Sequence, residues 1–449
     1  MRAGLGRGVV RRGVSVVRSA TSVVLVSLIV GAGLYLAYGT QNECTGQGSN
    51  LPTPSFSGSV IKIGYLTELG GSAASDGYSA RIGAELAVNA TNANGGVDGK
   101  TIQLLDLDTR TVPSVACQQA AVADRSGVLA ITGPTDANDA AVIGQYSEAN
   151  GVPFIASNLA SATLNSPNLK WTTAVEPDAV QQGAAIAKYI SEVVPSARIA
   201  LLTQSAIEQT EMASGARWFA DTYKNETVVY DQVYSSSQFP WGTAGESAKI
   251  AGANAVIVSW LPTVGFSESN VVQALLSVGF RQSQIFFASL TPNVTDLGTE
   301  ATGMRGALLF DQETVSGYPN ASSFVSEVRP YITGQPSPPI PECAPCLDEV
   351  GGDYYFGYLG MELIIAAIQN ATHGGQTLTR SDFMSSLRES SVPDLMGGTL
   401  GPDGSSSTQG KYQVVSVGPL NKDGVTYGLT TLERSGFPQG VVPVQSLAG

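Results

Sequence analysis

From Val60 onward, short apolar runs alternate with helical patterns, and this alternation restricts the chain to parallel sheets covered on both faces by helices. Strands are predicted at 60–66 (VIKIGYL), 101–107 (TIQLLDL), 128–132 and 152–156. The intervening helices are predicted at 76–93, stopped by Asn94-Gly95-Gly96, at 113–125 with a proline in its first turn, and at 139–150. After Pro177 the rhythm restarts. Helices are expected at 178–194, 208–223, 242–252 and 269–279, and strands at 198–203, 227–234, 255–259, 284–288 and 306–310. Two such series predict an α/β chain with two doubly wound lobes, whose ligand site lies at the carboxyl ends of the strands, in the cleft between the lobes. Helices at 354–370 and 379–389 and strands at 412–417 and 426–432 complete the pattern.

The segment ahead of this pattern differs in kind. Residues 20–38 carry no charge, and as a helix the run matches the roughly 30 Å hydrocarbon core of a bilayer. Arg2, Arg7, Arg11, Arg12 and Arg18 precede it, so 1–19 reads as a cytoplasmic basic stub and 20–38 as a transmembrane anchor, with a cleaved signal peptide as the rival reading. The bulk of the chain is then extracellular or periplasmic. Residues 39–59 (GTQNECTGQGSNLPTPSFSGS) have the composition of a flexible linker.

The formal net charge is −13, and the five arginines of the stub leave −18 for the rest, a surface that repels nucleic acid. Four cysteines are an even number for an exported chain, where disulfides persist. Cys343 and Cys346, inside a proline-rich loop, are expected to form a local structural bridge rather than a redox pair, and the pairing of Cys44 and Cys117 is left open. Sequons at Asn89, Asn225, Asn293, Asn320 and Asn370 are compatible with an external glycoprotein.

Catalysis is disfavoured. His373 is the single histidine, so neither a zinc site nor a histidine-based triad has its partners, and no GxSxG, HExxH or phosphate-loop motif occurs. No cofactor or metal is expected. Three loops at strand ends are better candidates for ligand contact: 68–78 (ELGGSAASDGY), with Asp76 and Tyr78, then 133–139 (GPTDAND) and 157–164 (SNLASATL).

The strings IKIGYLTELGG, GAELAVNATNANGGVDGK, GVLAITGP and YSEANGVPFIAS resemble the amino-terminal lobe of the leucine/isoleucine/valine-binding proteins, the substrate-binding components of branched-chain amino acid ABC importers. The resemblance implies the type I periplasmic binding fold, two lobes joined by a hinge that close on a ligand and hand it to a membrane permease. On that pattern lobe 1 comprises 60–178 and 309–400, and lobe 2 comprises 179–308 and 401–449.

Carried over position by position, the family's carboxylate-binding serine falls near Asp136 and Ala137, and the threonine of the next loop at Ala160, beside Ser161. The first-loop aromatic falls at Asp76, the ammonium-binding acid at Leu290, and the aromatic of the crossover helix is kept as Tyr354. Losing both charge partners argues against a standard branched-chain amino acid. Asp76, Asp136 and Glu208 would instead ring the cleft with acid and suit an amine, amide or polyol, unless they only cap helices. Trp241 and Trp260 are aromatic candidates, with core packing as the alternative. Two other functions share the pattern: a ligand-sensing receptor ectodomain of the same fold, and an envelope hydrolase using clustered acids.

Overall fold

The computed structural model describes residues 44, 54, 56–157, 164, 169–223, 226–234, 240–260, 268–290, 302–333, 349–373, 377–402, 408–409, 411–420 and 427–436. The basic stub, the proposed span at 20–38, Ala160, Ser161, Cys343, Cys346, Asn225 and Asn293 lie outside the described residues. Among the described residues no helix is long and apolar enough to cross a membrane.

The first sheet is built from β1 (Val60–Thr67), β2 (Thr101–Asp108), β3 (Ala130–Thr132), β4 (Phe154–Ala156) and β5 (Thr172–Ala174), in the order β2-β1-β3-β4-β5. All its neighbours run parallel. Helices α1 (Ala74–Ala93), α2 (Pro113–Arg125) and α3 (Ala137–Asn150) make the connections. Alternation along β1 explains why both faces need cover: Ile61, Ile63 and Tyr65 join one core cluster, while Leu66 joins another with residues of α2 and α3.

The chain then crosses to a second sheet through α4 (Ala179–Val193), whose first turn is closed by a capping box between Asp178 and Gln181. β6 (Ala197–Gln204), β7 (Glu226–Tyr234), β8 (Ala255–Ser259), β9 (Ile285–Phe287) and β10 (Arg305–Leu308) follow, with α5 (Ile207–Tyr223), α6 (Trp241–Ile250) and α7 (Glu268–Ser277) between them. After β10 the chain returns to the first core with α8 (Pro319–Ile332), α9 (Gly352–Thr372) and α10 (Arg380–Glu389). A small sheet of β11 (Val392–Pro393), β12 (Thr399–Pro402) and β13 (Thr408–Gln409) follows. It leads to β14 (Lys411–Leu420) and β15 (Tyr427–Gly436), which complete a seven-stranded sheet ordered β15-β14-β10-β9-β8-β6-β7. β14 is antiparallel to β10 and to β15.

Two helix pairs cross very closely, made possible by glycine. A Cβ on Gly83 of α1 would lie 2.0 Å from the Tyr354 carbonyl oxygen of α9, and one on Gly357 would lie 2.1 Å from that of Ala80. In the second lobe the same relationship joins Gly183 of α4 to Met212 and Gly215 of α5 to Val180, at 1.8 and 1.9 Å. These contacts bring α1 against α9 and α4 against α5 at backbone distance.

The stretch expected to be a flexible linker is held at Cys44 and Phe56. Cys44 is bonded to Cys117 of α2 with their Cα atoms 5.8 Å apart. Phe56 is buried in the first core, and its carbonyl accepts a 2.7 Å hydrogen bond from Lys100 Nζ.

Candidate functional site

Because the first sheet is parallel, the carboxyl ends of β1, β3, β4 and β5 share one edge, and the loops there are tied together by acids. Asp108 Oδ1 accepts the amides of Leu69, Gly70 and Arg110 at 2.9–3.1 Å, shaping the loop after β1. Glu68, fully buried, accepts from the Thr135 amide (3.1 Å), the Thr135 hydroxyl (2.8 Å) and the Asp136 amide (3.1 Å). It thereby joins the loop after β1 to the loop after β3. Burial raises its carboxyl above the ordinary range, while these hydrogen bonds work in the opposite direction. Gly133 begins the second loop at φ +86°, where a Cβ would meet the Leu66 carbonyl oxygen at 2.0 Å, so only glycine fits.

Of the residues expected at the site, Asp136 is the N-cap of α3: its Oδ1 accepts the amides of Asn138 and Asp139 at 2.9 and 3.0 Å. Asp136 thus has the capping role that was the alternative to ligand contact, and it engages one carboxylate oxygen, Oδ1. Ala137, the next residue, is half-buried against the core behind α2 and α3. Asp139 is fully buried, and burial, with the charges of Asp136 and Glu68 adding to it, pushes its carboxyl up to about 7. Asp76 lies in the first turn of α1, half-buried, accepting from Ser75 Oγ at 3.1 Å, and burial raises its carboxyl too. Tyr78 is half-buried and packs on the first core.

Trp260 and Leu290 go into the second core. Trp260 meets Trp241 edge-to-face with ring centroids 5.0 Å apart, and Leu290 Cβ fills the space a side chain on Gly306 would need. Tyr354 is buried in the first core, its carbonyl against Gly83. All three are thus buried within the apolar cores, the packing alternative for Trp260.

Glu208 stands in the first turn of α5, half-buried, and it has two acidic companions that sequence reasoning missed. Glu176 follows β5 on the crossing into α4, and Asp353 stands in the first turn of α9. Burial pushes the Glu176 carboxyl well above the ordinary range, and the charges of Glu208 and Asp353 push it the same way, against a hydrogen bond with the Gln182 side chain. Gln182 is itself fixed by donating to the Pro177 carbonyl at 2.9 Å. Three acids from three elements, one of them in the second lobe, thus lie within electrostatic reach. Local pattern carries no signal for this meeting, because it depends on where the chain returns in α9.

A group of this kind attracts cations and hydrogen-bond donors and repels carboxylates. Among the described residues no group of three or more metal-ligating side chains occurs. His373 is exposed at the end of α9.

A family model described as periplasmic binding protein matches residues 60–423. Among solved structures, the chain is similar to an ABC transporter substrate-binding protein from Sphaerobacter thermophilus, with 19% identity over 84% of this chain and 98% of that one, at a TM-score of 0.68. It is similar to an ABC transporter solute-binding protein from Rhodopseudomonas palustris in complex with p-hydroxybenzoic acid, at 16% identity, 86% and 100% coverage and a TM-score of 0.69. A leucine-binding protein from Thermotoga maritima aligns at 16% identity, 85% and 100% coverage and a TM-score of 0.63. No curated protein matches the sequence significantly. At these identities the structural likeness speaks for the fold.

Proposed function

The chain belongs to the periplasmic binding protein family, a family of solute-binding proteins and not of enzymes, and on that premise we propose that it is the extracytoplasmic solute-binding component of an ABC importer. It captures a small molecule between two lobes, 60–178 with 309–400 and 179–308 with 401–449, and delivers it to a membrane permease. Residues 20–38 tether it to the membrane.

The observation that carries the ligand class is the convergence of Glu176, Glu208 and Asp353 from the crossing segment and both lobes. Such a site favours an amine, an amide or another solute rich in hydrogen-bond donors. Relatives crystallised with benzoate or 4-hydroxybenzoate, and one described as a fatty acid transporter component, take anions. The acids here argue for a different solute.

A thermal-shift screen of the purified chain tests this with putrescine, ethanolamine, acetamide, glucose, leucine and 4-hydroxybenzoate. A true ligand at 100 times its Kd stabilises by about 2.7 kcal/mol. Stabilisation by an amine or amide supports the reading. Stabilisation by 4-hydroxybenzoate alone would refute the ligand class, and no response to any solute would count against solute capture.

A further inference from the structure

We infer that Gln413 is a positioning residue of the hinge, the side chain through which strand β14 holds the return crossing into the first lobe. This rests on the reading of the chain as a closing clamp. Between the two sheets the backbone passes three times, after β5, after β10 and between β12 and β14. Two of these passages meet at Gln413.

Gln413 lies near the start of β14, opposite Leu308 of β10, and is buried. Its Nε2 donates to Thr314 Oγ1 at 3.0 Å and reaches the Leu309 carbonyl oxygen at 3.4 Å and Met396 Sδ at 3.9 Å. Leu309 packs against the first core and against the core under α4 and α5, so it stands at the boundary of the lobes. Met396 belongs to the first core, in the turn before β12.

The bonds continue beyond the pin. Thr314 Oγ1 donates to the Asp311 carbonyl at 2.8 Å, Asp311 forms an isolated bridge with Gly351, and the Gln312 amide donates to the Val350 carbonyl at 3.0 Å. Gly351 caps α9, the helix whose first turn carries Asp353. A buried carboxamide in the second sheet is therefore connected, through Thr314 and Asp311, to the segment that presents an acid to the cleft.

Hinge motion is absorbed by a few residues whose backbone angles change while the packed bodies move as units. At 309–314 such a change must break the Gln413–Thr314 bond or carry both segments together. Loss of one buried hydrogen bond shifts a two-state balance about five- to tenfold. The Gln413 contacts to Thr314, Leu309 and Met396 join backbone crossings, so its effect acts on the lobe arrangement and leaves solute preference alone.

The test uses the full chain without ligand, comparing small-angle scattering and hydrogen exchange at 309–314 for wild type, Gln413→Leu, Thr314→Val, Thr314→Ser and the Gln413→Leu/Thr314→Val double variant. Gln413→Leu and Thr314→Val are expected to alter the radius of gyration alike and to speed exchange at 309–314. The double variant should go no further than either single one, and Thr314→Ser, which keeps the hydroxyl, should match wild type. Any of the probes putrescine, acetamide, leucine or 4-hydroxybenzoate that compacts the wild type should bind both variants with a Kd changed about five- to tenfold, in an unchanged order of preference. Variants that melt earlier yet scatter and exchange like wild type would overturn the hinge role, as would fully additive effects in the double variant. A wild type whose scattering no probe changes defeats the clamp reading instead, and the ligand-free comparison still decides the role of Gln413.

Discussion

The Arg380 guanidinium stands 2.9 Å from the Asp124 carboxylate where the two side chains are only 9% and 5% exposed, tying α10 to α2 across the outer layer of the first lobe. Arg380 also donates to the Val128 carbonyl at 2.8 Å, and the Tyr146 hydroxyl donates to the other Asp124 oxygen at 2.9 Å. Removing one partner of a buried ion pair leaves a charge without compensation, which costs about 3–5 kcal/mol. Arg380→Ala should therefore lower the urea midpoint sharply, and Arg380→Ala/Asp124→Asn should recover part of the loss. Equal midpoints for Arg380→Ala and wild type would contradict this.

The bridge between Cys44 and Cys117 closes a loop over a sequence separation of 73. In the chain-entropy account a loop of that length stabilises the fold by about 4 kcal/mol. The double variant Cys44→Ser/Cys117→Ser should melt several degrees lower than wild type, with peptide mass mapping confirming the linkage in the parent. A melting curve unchanged by the double variant would show that Phe56 and the Lys100 bond hold the segment without it.

Glu226 at the start of β7 is 5% exposed, with neither carboxylate oxygen hydrogen-bonded among the described residues, and burial pushes it from 4.5 up to about 8. Between those values the folded chain retains a proton that the unfolded chain releases. The contribution of Glu226 to stability therefore falls as pH rises from about 4.5 to about 8, and is flat beyond. Glu226→Gln should flatten this slope and raise stability most at pH 8, read as the urea midpoint at pH 5 and pH 8. Parallel profiles for variant and wild type would contradict the burial of an uncompensated acid.

What could be read beforehand, and what could not, follows the range of the interactions. The strand at 255–259 and the helix at 113–125 have the bounds their local patterns predict, because apolar runs and a first-turn proline act within one element. β5 is three residues of Thr-Thr-Ala and has no apolar run, so it formed no pattern, and α8 begins with Pro319 and contains Pro330, which reads as a break. Asp136 in GPTDAND was open to a capping role because capping is local. The link of Cys44 to Cys117 was not readable, since only the folding of α2 onto the first sheet brings the two together.

Glycines at the α1–α9 crossing carry a prediction of their own. Gly83→Ala and Gly357→Ala each place a methyl about 2 Å from a carbonyl oxygen of the facing helix, where backbone must move. Overpacking of this kind costs about 1–3 kcal/mol. The double variant should cost less than the sum, because one separation of the helices relieves both contacts. Strict additivity in denaturant titrations would show that the two sites relax separately.

Glu176 links titration to capture. With its carboxyl held well above the ordinary range by burial and by Glu208 and Asp353, the empty site retains a proton that a bound cation would displace. Binding of an amine should thus release a proton at pH below the raised value, and affinity should strengthen as pH rises until Glu176 ionises by itself. Glu176→Gln removes that linkage: amine affinity should fall and its pH slope should vanish, while a neutral amide should be affected far less. Calorimetry of putrescine and acetamide in two buffers of different ionisation enthalpy reads the proton count directly. A buffer-independent putrescine enthalpy in the wild type would mean that Glu176 does not face the bound solute, and the acid-lined site would have to be sought in Glu208 and Asp353 alone.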